Sequence, residues 1–199
     1  MSYIPRNRFQ ASDCLEGHVL IGVFLSVSSI VVLCLTSFSI PYIKNIFFLS
    51  TSTGYKYGTL GYCQFGSCSR RRIGYETGRE IIHWLTQTLV LFPIAALLIF
   101  LGLWGLVWSL WGPSKNSIWF RIPTAVGALT ALVAEIFALV LFVTARNRFH
   151  ESAIDTAYGP ALWLGIAGFI CAATSAFFCG PPYTARYMYR AHRDYPTRY

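Results

Sequence analysis

Four stretches of the chain run almost unbroken through apolar side chains, and the polar positions collect between them. His18 to Ile40, Trp84 to Trp111 and Thr156 to Ala185 contain no Asp, Glu, Lys or Arg, and Ile122 to Ala145 contains only Glu135. Each run reaches the roughly 20 residues a helix needs to cross about 30 Å of hydrocarbon. The pattern therefore predicts four transmembrane helices over about residues 18–40, 82–111, 121–145 and 158–182. A long loop at about 41–80 joins the first two. A transmembrane barrel would show ten-residue segments of alternating polarity instead, and a helix in lipid satisfies its own backbone, so the Val and Ile of the first run do not argue for strand. The expected class is a single all-α, membrane-spanning domain over residues 1–199 with short tails.

Composition agrees and adds a sign. The 199 residues are 55% hydrophobic and only 12% charged, about half the charge of a soluble domain, which excludes disorder. The first run is too long for a signal-peptide core and is followed by no small-residue cleavage pattern, so it is expected to stay as an anchor. Trp84 and Trp163 open the second and fourth runs, while Trp104, Trp108, Trp111 and Trp119 gather between the second and third, as interfacial belts do. Net charge is +8, and the sixteen cations divide evenly between the two sides. Arg70, Arg71 and Arg72 stand mid-loop, whereas Arg186 to Arg198 follow the last helix directly, which favours both termini in the cytosol.

Cysteine placement separates the faces further. Cys34 and Cys171 fall within helices, Cys14 and Cys179 near membrane boundaries, and Cys63 and Cys68 close together in the long loop. The four residues between that pair include Gly66 and can reverse the chain, bringing the Cα atoms to the roughly 5.5 Å a bridge requires. A disulfide there implies an oxidising, non-cytosolic face. Two free thiols, or half of a zinc site, are the competing readings, although no second Cys or His pair accompanies them in the loop.

The loop also carries a recognisable string. Gly58-Thr59-Leu60-Gly61-Tyr62-Cys63, then Cys68-Ser69, then Ile73-Gly74-Tyr75 resembles the signature of the fungal Sur/PalI family of claudin-like membrane proteins. The resemblance implies a claudin-like four-helix bundle in the plasma membrane with cytosolic termini and a Cys63–Cys68 bridge. It also implies one of two roles: organising cortical membrane domains tied to endocytosis, cell-wall and sphingolipid homeostasis, or assisting an alkaline-pH sensing complex. Tyr62 stands where animal claudins carry a Trp before the first loop cysteine, which disfavours the tight-junction branch.

Independently of that likeness, residues 41–80 are too many for an idle connection. Gly54, Gly58, Gly61 and Gly66 punctuate Tyr- and Phe-containing segments, so short strands joined by turns are expected. Such a disulfide-pinned, β-structured loop would present Arg70, Arg71, Arg72 and Arg79 to anionic polymer, lipid headgroups or an acidic partner, or simply solvate itself by pairing with Glu76 and Glu80.

Glu135, mid-way along the third run, must face the bundle, because an ionised carboxylate in hydrocarbon costs several kcal/mol. It is either a proton-linked switch or a neutral carboxyl bonded to a hydroxyl such as Ser26, Ser28, Thr86, Thr88, Thr174 or Ser175. Small residues four apart, Gly127 with Ala131, Ala134 with Ala138, Ala161 with Gly165 and Gly168 with Ala172, permit close helix packing. Cys14 and Cys179 are candidates for palmitoylation. The four His stand in no metal-ligand spacing, and no nucleophile elbow or phosphate loop is present.

The expectation is a non-enzyme without cofactor that binds membrane lipids and other membrane proteins or itself, and no nucleic acid. Its alternatives are an auxiliary subunit of a pH-sensing receptor or an accessory subunit of a transporter or polysaccharide synthase.

Overall fold

The computed structural model describes residues 17–70, 74–75, 81, 83–111 and 118–178. Helix α1 spans Gly17–Ser37, α2 His83–Thr88, α3 Leu91–Trp111, α4 Ile118–Glu151 and α5 Pro160–Phe178. Four spans are long and apolar enough to cross a membrane, α2 and α3 together making one of them. The bundle is claudin-like: α3 packs chiefly on α4 and α1 on α5, and α4 also meets α5.

The second span is broken where a continuous helix was expected. Pro93 has no amide hydrogen and its ring crowds the carbonyl four residues earlier, at Leu89. The helix therefore opens at Leu89–Val90, where single-turn bonds from Val90 N to Gln87 O and from Phe92 N to Leu89 O carry the chain round. Helix α1 stops at Ser37, short of Ile40, because the residue before Pro41 avoids helical backbone. Helix α4 runs past Ala145 to Glu151, and its 34 residues give about 51 Å, well beyond the hydrocarbon thickness. Its last turns support the sheet, Phe149 against Tyr57 and Arg146 against Tyr158.

That loop forms strands β1 (Leu49–Thr51), β2 (Tyr55–Tyr57), β3 (Tyr62–Gln64) and β4 (Ser67–Cys68). A fifth strand, β5 (Thr156–Tyr158), comes from the connection between α4 and α5. The sheet is antiparallel with order β4-β3-β2-β1-β5. Register places Leu49, Thr51, Tyr55, Tyr57, Tyr62 and Tyr158 on one face and Ser50, Lys56, Cys63, Cys68 and Ala157 on the other.

The first face continues the core. Tyr57 stacks on Phe149 of α4 with ring centroids 6.0 Å apart, and Phe48 lies between Phe142 (4.8 Å) and Phe92 (6.0 Å). Between the helices the contacts are small or hydroxylic. Ser26 and Ser175 pair at 2.6 Å, Ser175 Oγ donates to Gly22 O, and Ser29 Oγ donates to Gly168 O. Ala131, Ala134, Ala138, Ala161 and Ala172 are buried, as close helix approach requires.

Candidate functional site

The residues of the Gly-Tyr-Cys string converge where the sheet meets the C-terminal end of α1. Thr59 Oγ1 donates to Thr36 O in the last turn of α1 (2.8 Å) and Thr59 N donates to Ser39 Oγ (2.9 Å), with the two hydroxyls also in contact. Gly58 lies so close to the chain that a Cβ there would stand 2.5 Å from Ile40 O and 2.7 Å from Ile40 N. No side chain fits that approach. Gly58 N donates to Gly61 O across the β2–β3 turn, and Tyr75 Oη donates to Gly58 O at 2.7 Å.

Tyr75 is fully enclosed. Its ring stacks on Tyr57 (6.4 Å) and tilts against Tyr62 (6.1 Å), while its carbonyl accepts from Thr86 Oγ1 of α2. Burial, and then the neighbouring Tyr57, push its phenol well above the ordinary tyrosine range. Gly74 before it takes a left-handed φ of +73°, with Gln87 and His83 of α2 packed over it. One tyrosine thus ties the sheet to α2.

Cys63 and Cys68 form the disulfide, with their Cα atoms 4.0 Å apart in register across β3 and β4. Below it, Ser69 closes the hairpin: its N donates to Tyr62 O (2.8 Å) and its Oγ accepts from Tyr62 N (3.1 Å). Gly61 leaves the space that Ser69 Oγ occupies. Gly58, Thr59, Gly61, Tyr62, Cys63, Cys68, Ser69 and Tyr75 of the string are therefore spent on fastening.

What remains on the surface is sparse. Arg70 is exposed and lines an open cavity of about 440 Å³ with Pro41, Cys68 and Ser69, beside the end of α1. Arg71, Arg72 and Arg79 lie outside the described residues, as do Glu76, Glu80, Cys14 and Cys179. Lys56 sits over the Phe47 ring at 5.0 Å and Arg146 over Tyr158 at 4.8 Å, so two cations beside the sheet are engaged with aromatics. Among the described residues no group of His, Cys, Asp and Glu gathers as a metal site.

Glu135 faces inward, 4% exposed, against Gly165 of α5 and near the Phe92 ring of α3. Five of the six hydroxyls expected as its partners turn elsewhere. Ser26 and Ser175 bond each other, Thr86 bonds Tyr75 O, Thr88 bonds Leu85 O and Thr174 bonds Ile170 O. Neither Glu135 oxygen has a hydrogen-bond partner among the described residues.

Sequence reasoning did not find the Thr36–Ser39–Thr59 hydroxyl cluster or β5. The first was signalled by the Ser and Thr crowding ahead of Pro41; three residues of β5 are too few to show alternation.

Among curated proteins, no relative matches the chain. The sequence profile of the SUR7/PalI family matches residues 18–175. Those residues take in three membrane spans, nearly all of the fourth, the fastening string and the disulfide, so the chain belongs to the SUR7/PalI family.

Proposed function

We propose that this multi-pass protein is a non-catalytic organiser of cortical plasma-membrane domains, eisosome-like patches tied to endocytosis and cell-wall homeostasis. It acts by lateral association with lipids and membrane proteins, with both termini in the cytosol. The observation that carries the reading is the use to which the string is put. Gly58, Thr59, Gly61, Ser69 and Tyr75 build a fastened platform on the bundle, and among the described residues no group of His, Cys, Asp and Glu gathers as a metal site. A disulfide-pinned sheet suits an oxidising exterior, and Arg70 beside the exit of α1 stands where an outer-leaflet headgroup would meet it.

A second reading, auxiliary subunit of an alkaline-pH sensing receptor, draws on Glu135. A carboxyl held without a partner inside a bundle is costly and is commonly functional. A fluorescent tag separates the two. Static cortical patches support the organiser; a diffuse membrane signal with loss of growth at alkaline pH supports the receptor auxiliary and overturns the first reading. Stoichiometric co-purification with a large transporter or synthase would assign the chain as its accessory subunit.

A further inference from the structure

The two turns at the end of the sheet remote from the Thr59 anchor, Ser52–Gly54 and Phe65–Gly66, carry a feature that fastening does not explain. Phe65 is 82% exposed, yet it occupies a left-handed backbone conformation with φ +46°, followed by Gly66 at φ +92°. Positive φ at both central residues is the pattern of a type I′ hairpin turn, whose first position favours Asn, Asp or Gly. A bulky aromatic is disfavoured there. The turn is nonetheless enforced, because the Cys63–Cys68 bridge and the Gln64–Ser67 pair clamp its two sides. The ring is positioned as well: its Cε1–Cζ edge lies over Gly54, where a Cβ would come within 2.7 Å of it. Gly54 itself holds φ +83°.

An exposed aromatic by itself needs no explanation. A strained one, clamped by a disulfide and seated on a glycine, is a side chain held ready for contact. It stands at the end of the sheet away from the one bonded to α1. The surrounding groups are mostly uncharged hydrogen-bonding ones: Ser52, Thr53 and Ser67 are exposed and Gln64 half-buried, with the acid Asp155 joined to Ser52 through its backbone.

We propose that Phe65 and this rim form a binding site for a neutral saccharide chain outside the cell, the ring stacking on the C–H face of a sugar while hydroxyls and amide meet its hydroxyl groups. The proposal rests on the sheet lying on the non-cytosolic side, and it stands whether or not the protein organises membrane domains.

The test uses the full chain in lipid nanodiscs, titrated with neutral hexasaccharides of glucose, mannose and N-acetylglucosamine and with an anionic uronic-acid oligomer, read by saturation-transfer NMR. At least one neutral oligosaccharide should bind, with protons of one sugar face saturated. Phe65→Asn, which suits the left-handed position, should weaken binding about tenfold or more and leave the melting temperature unchanged or raised, while Phe65→Tyr retains binding. Equal binding by the wild type and Phe65→Asn would overturn the site, as would binding of the anionic oligomer alone or of no saccharide. A fall in melting temperature for Phe65→Asn would make the ring structural and overturn it too.

Discussion

Tyr75 joins the sheet to α2, and its phenol gives a pH signature. Below about pH 10 it is neutral in both the folded and the unfolded chain, so its contribution is fully present there. Its folded pKa is raised, so above that pH the unfolded chain releases the proton while the folded one resists, and stability falls. Tyr75→Phe should cost about 1 kcal/mol at neutral pH, by leaving Gly58 O without its donor, and should flatten the alkaline loss; thermal unfolding across pH 7 to 11 reads both. Glycines make a sharper contrast. Gly58→Ala forces a Cβ into the Ile40 backbone and should cost about 2 kcal/mol or more. Gly66→Ala meets open space and bears only the left-handed penalty of about 1 kcal/mol. Equal effects in a melting series would contradict the docking geometry.

Among the elements, α4 and α5 share the seam most open to test. Gly165 admits the Glu135 carboxyl against the backbone of α5, so Gly165→Ala should destabilise the bundle by about 1–3 kcal/mol. Combined with Glu135→Ala the loss should shrink, a coupling of about 0.5 kcal/mol or more in a double-mutant cycle. Because the carboxyl has no partner among the described residues, Glu135→Met should raise stability by about 1–2 kcal/mol, with chemical denaturation in detergent as the check. The four spans were legible because lipid demands an uncharged run of fixed length, and nothing in soluble packing imitates it. The ends were less so: the break before Pro93 and the extension of α4 to Glu151 depend on what those residues touch, and the sheet that α4 supports is invisible at the third run. The disulfide and the turns of the loop could be read from Cys63, Gly66 and Cys68. The purpose of the string could not, since Thr59 finds Ser39 and Thr36 only across 20 and 23 residues of chain.

At the scale of the whole molecule, a four-helix bundle fixes a small rigid sheet outside it, and the disulfide is its internal brace. Replacing Cys63 and Cys68 together by Ser should lower stability by about 2 kcal/mol, the loop-closure contribution of a short ring, and loosen the Phe65 turn before the helices; hydrogen exchange resolves the order. Lipid-facing side chains run the length of the helices, among them Phe24 and Val31 of α1, Leu97 and Trp104 of α3 and Leu129 and Ile136 of α4, so lateral contact with lipid or neighbours is the main surface the chain presents. The organiser reading requires that some of it be used. Extraction of the native membrane into polymer-bounded discs, followed by mass spectrometry of the intact assemblies, tests that most directly. The account predicts more than one copy of the chain, or the chain with other membrane proteins, retained together with lipid; a solitary monomer would contradict it.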